Sequence, residues 1–163
     1  MRHRLAAGLC CAIAGFFAAP APAQQAVFLI RHAEKDTGPD PALTAAGRAR
    51  AERWAVMLAD AGIDAIYTST AQRTQETGGI IAGALSLFPE ALPMSDLAGL
   101  MARLRDDHTD DRVLIVGHTE NIPDILSELG AFDLISMDLA VFSRLFVVFP
   151  AGGDPVILDM QMP

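Results

Sequence analysis

The sequence is short of cysteine, and its two cysteines lie together near the start. Cys10 and Cys11 both fall within the first 23 of the 163 residues. If those residues form a leader that is removed, residues 24–163 contain no cysteine. Disulfide bonds, zinc thiolate sites and a cysteine nucleophile are then excluded. The remaining length suits one domain with a sizeable core and is too short for two.

Positive charge is also scarce. The chain has 12 Lys and Arg against 20 Asp and Glu, and two of the arginines, Arg2 and Arg4, lie in the first 23 residues. Residues 24–163 therefore carry 10 basic and 20 acidic side chains, a formal net charge of −10. Proteins bind nucleic acids by neutralising phosphates with Lys and Arg, so this composition argues against a nucleic-acid partner. Any site for an anion must be a local pocket of positive charge.

The first 23 residues have the pattern of a secretory signal peptide. The basic start "MRHR" is followed by an apolar run over 5–19 and by the small-residue triplet "APA" at 21–23. This predicts export, to the periplasm or the medium, of a single domain that spans 24–163. A membrane anchor is the alternative, but the apolar run is shorter than the roughly 20 residues of a membrane span. A lipoprotein is a further alternative, although neither cysteine follows the usual lipobox. We expect no membrane span in the mature chain.

Strand-like apolar runs alternate with helical patterns along residues 24–163. Strands are predicted at 27–30, 65–69 and 112–117, helices at 44–61, 70–87, 95–108 and 121–130, and a closing hairpin across 143–161. Thr44 and Ser95 are the predicted N-caps of the first and third helices. The alternation predicts an α/β fold, a three-layer sandwich with a mostly parallel central sheet flanked by helices. The C-terminal hairpin is expected to add antiparallel edge strands.

Polar residues directly follow each of the three predicted parallel strands. They are Arg31 and His32 after the first strand, Ser69, Thr70 and Arg73 after the second, and Gly117 and His118 after the third. In an open α/β sheet, ligands bind outside the carboxyl ends of the strands. One histidine at a strand end is more often structural, but three segments that converge on one edge predict a binding site.

Arg73 suggests which ligand the site takes. It falls in the first turn of its predicted helix, where a cation is disfavoured by about 0.3–1 kcal/mol because the free N–H groups make the potential positive. A bound anion between the helix start and the guanidinium would account for this position, since helix N-termini and arginines both bind phosphate. The alternative is an arginine that leans away into solvent.

A metal site is a competing interpretation of the same residues. His32 and Glu34 form one H-x-E pattern, and His118 and Glu120 form another. Residues i and i+2 of an extended segment share a face, so each pair has the spacing to chelate a metal ion. Two arginines beside a divalent cation argue against this interpretation, and we expect no metal.

If the anion is a phosphoryl group, one imidazole can attack it as a covalent nucleophile. The attacking nitrogen must be unprotonated, and neighbouring arginines favour that form by lowering the pKa of the histidine. The other imidazole and the arginines can then bind the phosphoryl oxygens, where charge must be stabilised. The predicted catalytic residues are Arg31, His32, Arg73 and His118, and the predicted substrate-binding residues are Arg31, Ser69, Thr70 and Arg73.

At these residues the sequence resembles the histidine phosphatase superfamily, also called the phosphoglycerate mutase-like superfamily. "LIRHAEK" resembles its R-H-G/A-E signature, and "LTAAGRARA" resembles the L-T-x-x-G-x-x-x-A segment that follows. "IYTSTAQRTQET" is similar to its S-x-x-x-R-x-x-x-T segment, and "VLIVGHTENIP" is similar to its later V-x-x-V-x-H-x segment. The matches occur in family order and span residues 27–123.

The resemblance implies an α/β phosphatase, of a small exported bacterial type, that needs no metal or other cofactor. It implies that His32 is the phosphorylated nucleophile and that Arg31, Arg73 and His118 complete the phosphate pocket. The expected partner is a phosphorylated small molecule or phosphoprotein substrate, and the expected state is a monomer or weak dimer. The alternatives are a non-catalytic phospho-ligand binding module on the same fold and a phosphomutase, which would need a longer substrate-gripping insertion.

The proton donor is left open by the sequence. Many members of the family carry an acidic donor in an insertion before the second histidine, and here the corresponding interval, 88–111, is short. Glu90, in a predicted loop, and Asp96, in the predicted first turn of a helix, are its early acids. Glu120, two residues after His118, is the third candidate.

Overall fold

The computed structural model describes residues 25–131, 141–150 and 153–162. The predicted signal peptide, 1–23, lies outside the described residues. The elements are β1 (Ala26–Arg31), α1 (Ala45–Leu58), β2 (Ala65–Ser69), α2 (Gln72–Leu85), β3 (Glu90–Leu92), α3 (Leu97–Asp107), β4 (Arg112–Gly117), α4 (Ile122–Glu128), β5 (Arg144–Phe149) and β6 (Val156–Gln161). Within these ranges, no helix has the length and apolar character needed to cross a membrane.

The six strands form one sheet in the order β3-β2-β4-β1-β5-β6. The first four strands are parallel, whereas β5 runs antiparallel to β1, and β6 runs antiparallel to β5. The predicted α/β sandwich with a C-terminal antiparallel hairpin is thus confirmed. Because β4 pairs with both β1 and β2, the carboxyl ends of these three strands lie side by side at one edge.

Both faces of the sheet are covered. On β4, Leu114 contributes to a core cluster that includes Trp54 of α1, and Ile115 contributes to a second cluster that includes Ile125 of α4. Alternate residues of a strand point to opposite faces, so a continuous apolar run is what a strand buried on both sides requires. The sequence "RVLIVG" has this run, and its predicted bounds are those of β4.

Helix α1 packs directly against the backbone that follows β1. Thr44 is its N-cap, as predicted, and its hydroxyl accepts a hydrogen bond from the N–H of Gly47 at 3.0 Å. A Cβ at position 47 would overlap the carbonyl oxygen of Glu34. The glycine in "LTAAGRARA" therefore permits the close contact that fixes the segment after His32.

Two details of the segment before α3 differ from the predictions. Glu90 is the first residue of β3 and pairs with Tyr67, where a loop was expected. The N-cap of α3 is Asp96 and not Ser95, because the Asp96 carboxylate accepts from the N–H of Gly99 at 3.0 Å. A three-residue strand is too short to show a pattern in the sequence, and Ser and Asp are equally good caps, so only the backbone register decides between them.

Candidate active site

The structure brings together Arg31, His32, Arg73 and His118 at the carboxyl edge of the sheet. Arg31 lies opposite Gly117 in the pairing of β1 with β4, so the residues that follow each strand become neighbours. The two imidazoles are buried, and their ring centroids are 5.3 Å apart at an interplanar angle of 60°. The convergence expected from the strand ends is therefore present.

The hydrogen bond made by His32 decides which of its nitrogens can react. Nδ1 lies 2.8 Å from the carbonyl oxygen of Ala33, and a carbonyl only accepts, so Nδ1 carries the proton. Nε2 therefore holds the lone pair. Burial lowers the pKa of His32 to about 4, with Arg31 and other nearby positive groups adding to this, although the hydrogen bond to Ala33 opposes it. At neutral pH, His32 is thus a neutral imidazole with a free Nε2.

His118 is held in the opposite tautomer. Its Nδ1 lies 3.1 Å from Nη2 of Arg73, and because a guanidinium only donates, Nδ1 accepts and Nε2 carries the proton. Nε2–H then donates to Oγ of Ser69 at 2.7 Å. Burial lowers the pKa of His118 to about 4, Arg73 adds to this, and the charge of Glu120 opposes it. The lone pair of His118 is therefore held next to a pocket arginine.

Ser69 lies in a buried network beneath His118. Its hydroxyl oxygen accepts from His118 and from the N–H of Ala71, at 2.7 and 3.1 Å. Its proton goes to Oγ1 of Thr74, 2.7 Å away, because the Thr74 hydroxyl donates to the carbonyls of Ser69 and Ala71. Sequence reasoning placed Ser69 among the substrate-binding residues. Its hydroxyl is buried and bonds to His118, Ala71 and Thr74, so it positions the His118 ring, and its role in substrate binding stays a prediction.

Thr77 connects α2 to the backbone beside His32. Its hydroxyl donates to the carbonyl of Arg73 at 2.7 Å and accepts from the N–H of Ala33 at 3.1 Å. Residues 73 and 77 lie one helical turn apart on the same face, so one face of α2 carries both a pocket arginine and this support. This gives a physical reason for the spacing S-x-x-x-R-x-x-x-T.

Asp40 lies at the start of α2, and sequence reasoning did not identify it. Its Oδ1 accepts from the N–H of Gln72 at 2.9 Å and lies 3.7 Å from Nη1 of Arg73. A carboxylate of the protein thus already interacts with the helix N-terminus and with the arginine that were expected to attract an anion. Asp40 belongs to the turn-rich stretch "DTGPDP", whose pairing with α2 is a tertiary contact with no local signal. Thr70 is exposed nearby and lines a polar crevice of about 460 Å³ with Asp40 and Gln72.

Phe142 is a second site residue that the sequence did not reveal. Its ring lies under the guanidinium of Arg31, with Cζ 4.0 Å from the ring centroid. The ring centroid is also 6.0 Å from that of His32, at an angle of 58°. Burial lowers the pKa of Arg31, Glu120 opposes this, and Arg73 adds to it. In the sequence, Phe142 looks like one of the apolar residues that precede β5, so nothing there marks it as a site residue.

The three candidate proton donors lie in different surroundings. Glu90 forms an ion pair with Arg103 at 3.3 Å, and Asp96 is engaged as the N-cap of α3. The charge of Glu120, by contrast, acts on both Arg31 and His118. Of the three acids, Glu120 is therefore the one in electrostatic reach of the pocket.

Glu34 is paired with Arg50. Both of its carboxylate oxygens accept from Nε of Arg50, at 2.8 and 2.9 Å. The pair His32 and Glu34 is therefore not arranged as a chelate. The described part of the chain contains no group of three or more His, Cys, Asp or Glu residues placed to hold a metal ion.

Comparison with known proteins shows a family-model match over part of the chain and a shared fold. A sequence model described as "Histidine phosphatase superfamily (branch 1)" matches residues 27–100. The fold is similar to that of the protein histidine phosphatase SixA complexed with tungstate, with a TM-score of 0.70 and 22% identity over 83% of this chain and 96% of that chain. Over residues 27–100 the chain is therefore similar to the histidine phosphatase superfamily.

Two further solved structures have the same fold. One is phosphoserine phosphatase from Entamoeba histolytica in complex with 3-phosphoglyceric acid, with a TM-score of 0.62 and 18% identity over 85% of this chain and 97% of that chain. The other is mycobacterial glucosyl-3-phosphoglycerate phosphatase Rv2419c, with a TM-score of 0.64 and 15% identity over 84% and 97%. A search of the curated proteins returned no match. At these identities the structural likeness shows the fold.

Proposed function

We propose that the protein is a metal-independent phosphatase that forms a phosphohistidine on His32. The observation that carries the proposal is the free Nε2 of a buried, neutral imidazole beside two arginines and a second imidazole. The family match supports the same activity, as do structural neighbours that their names describe as phosphatases. The substrate class is a phosphomonoester or a phosphoramidate, on a small molecule or on a protein.

In the first step, Nε2 of His32 attacks phosphorus while the bond from phosphorus to the leaving atom breaks. The electron pair stays on the leaving oxygen or nitrogen, which takes up a proton. In the second step, water attacks the phosphohistidine, the P–N bond breaks, and its electron pair returns to Nε2 as inorganic phosphate is released. Arg31 and Arg73 donate to the phosphoryl oxygens throughout.

His118 changes protonation when a phosphate dianion binds. Its Nδ1 accepts from Arg73 in the neutral form and has no proton to give. A dianion beside it raises the pKa of His118, so that Nδ1 gains a proton and donates to a phosphoryl oxygen. Ser69 keeps the ring oriented by accepting from Nε2–H in both forms.

Glu120 is the proton donor in this proposal. Its charge acts on Arg31 and His118, whereas Glu90 and Asp96 are engaged elsewhere. A donor matters most when the leaving group is poor. Glu120→Gln should therefore slow the hydrolysis of an alkyl phosphate much more than that of p-nitrophenyl phosphate, whose leaving group needs no proton. Equal slowing of both substrates would contradict the assignment.

The proposal is tested by steady-state hydrolysis of p-nitrophenyl phosphate in the presence of EDTA. We expect activity to persist in EDTA and to be lost in His32→Ala. His118→Ala should be slowed by about 10²–10³-fold, the typical effect of one charge-stabilising donor. Activity that EDTA abolishes and zinc or manganese restores would contradict metal independence. A binding module would bind phosphate without turnover.

Export of the enzyme is part of the proposal and rests on the signal-peptide pattern of residues 1–23. The phosphatase would then act in the periplasm or outside the cell, as a monomer or weak dimer. Cell fractionation with N-terminal sequencing of the purified protein tests this. A mature start near residue 24 in the exported fraction is expected, and an intact N-terminus in the cytosol would contradict it.

A further inference from the structure

Phe142 reaches the pocket because of the way β5 joins the sheet. β5 runs antiparallel to β1, with Ile30 opposite Leu145, so the residues just before β5 lie beside the carboxyl end of β1. Phe142 is two residues before β5 and is half-buried. Its ring faces Arg31 at 4.0 Å and lies beside the ring of His32 at 6.0 Å.

The electrostatic surroundings of Arg31 explain how an aromatic ring beside it can stabilise its charged form. Burial lowers the pKa of Arg31, and although the charge of Glu120 opposes this, that of Arg73, which shares the pocket, adds to it. The face of an aromatic ring attracts a guanidinium through its quadrupole. The attraction to the ring face needs no N–H group of the guanidinium, so these groups remain able to bind the oxygens of a phosphoryl group. Phe142 can therefore fix Arg31 without using up its hydrogen-bond donors.

We propose that Phe142 is a positioning residue that holds Arg31 in its phosphate-binding orientation and covers one side of His32. This inference rests on the proposed function, because it gives Phe142 a role in the same pocket. Phe142 does not act on the reacting atoms itself. Its effect passes through the guanidinium that it stacks on, so an aromatic ring is required at this position and apolar bulk alone is insufficient.

Tungstate binding, measured by isothermal titration calorimetry on the whole protein, tests the requirement for an aromatic ring. Phe142→Leu should weaken binding by about twofold to thirtyfold, the range from an exposed to a desolvated cation–π contact. Phe142→Tyr should bind as wild type does. Phe149→Leu is the matched control, because Phe149 is exposed at the opposite end of β5, and it should leave affinity unchanged.

A double-mutant cycle shows whether the effect passes through Arg31. Arg31→Gln removes the cation, so adding Phe142→Leu to it should cause no further loss of tungstate affinity. A Phe142→Leu loss of the same size in both backgrounds would overturn the inference, and so would wild-type affinity in Phe142→Leu. Phe142→Met, a second apolar replacement, serves if the leucine variant does not fold. Wild-type protein that fails to bind tungstate would overturn the proposed function together with this inference.

Discussion

Ser69→Ala tests whether a buried hydroxyl sets the orientation and tautomer of the second pocket histidine. The substitution removes the acceptor of His118 Nε2–H and leaves that donor buried with no partner in its present position. The hydroxyl of Thr74 remains hydrogen-bonded, because it still donates to the backbone carbonyls of residues 69 and 71. Two donors therefore lose their acceptor, the buried His118 Nε2–H and the part-buried N–H of Ala71, and the buried one alone costs about 1–3 kcal/mol of unfolding free energy.

The same change should impair catalysis. Without Ser69, the ring of His118 is free to turn, or its proton can move from Nε2 to Nδ1. A protonated Nδ1 can no longer accept from Arg73. We expect kcat/KM for p-nitrophenyl phosphate to fall by about tenfold to a hundredfold, somewhat less than the loss of a whole charge-stabilising group.

Urea unfolding, followed by the fluorescence of Trp54, measures the stability change. Trp54 is the single tryptophan of the chain and is fully buried, so it reports the loss of the core. Thr70→Ala is the control for stability, since it removes an exposed hydroxyl from the next residue and should change unfolding by less than about 0.5 kcal/mol. A Ser69→Ala protein as stable and as active as wild type would refute the role of this hydroxyl.

Three further predictions concern charge. His32 and His118 have pKa values of about 4 when folded, against the usual 6.5, so the unfolded state binds more protons between these values. Urea midpoints should therefore fall as the pH drops from 6.5 to 4, and less so in a variant with both histidines changed to Gln; a flat profile in wild type would contradict this. Tungstate binding near pH 6 should take up protons, seen as a calorimetric heat that depends on the ionisation enthalpy of the buffer, whereas binding without proton uptake would exclude protonation of His118. Asp40→Asn keeps an acceptor for Gln72 but removes a negative charge beside Arg73, so tungstate should bind about threefold to tenfold more tightly. Weaker binding would show that Asp40 orients Arg73.

The residues at the strand ends were predictable because local signals and one rule of sheet architecture agree. The apolar runs before Arg31, Ser69 and His118 indicate buried strands, and parallel strands place their carboxyl ends at one edge. The glycine of "LTAAGRARA" and the threonine cap of α1 were predictable for the same reason, because each is indicated by a short stretch of sequence. These features fix the fold class and the four polar groups of the pocket without any knowledge of long-range contacts.

The remaining site residues depend on contacts that the sequence does not show. Phe142 reaches Arg31 only because β5 pairs with β1, and Asp40 reaches α2 only because its loop folds back. The inward direction of the Ser69 hydroxyl depends on the position of His118, 49 residues away along the chain. The sequence accordingly reveals the charged groups of the pocket, but not Phe142 and Asp40, which contact two of them from other parts of the chain.

The central claim is that phosphate is carried covalently on His32 during turnover, and the most direct test is to locate that phosphate. The enzyme is mixed with phosphorylated substrate, quenched in alkali within milliseconds, and analysed by mass spectrometry under conditions that preserve phosphohistidine. We expect an acid-labile phosphoryl group on His32, at no more than one per chain, that forms in wild type and forms at a reduced rate in His118→Ala. A phosphoryl group on His118, or rapid turnover with no covalent phosphate at any quench time, would contradict it.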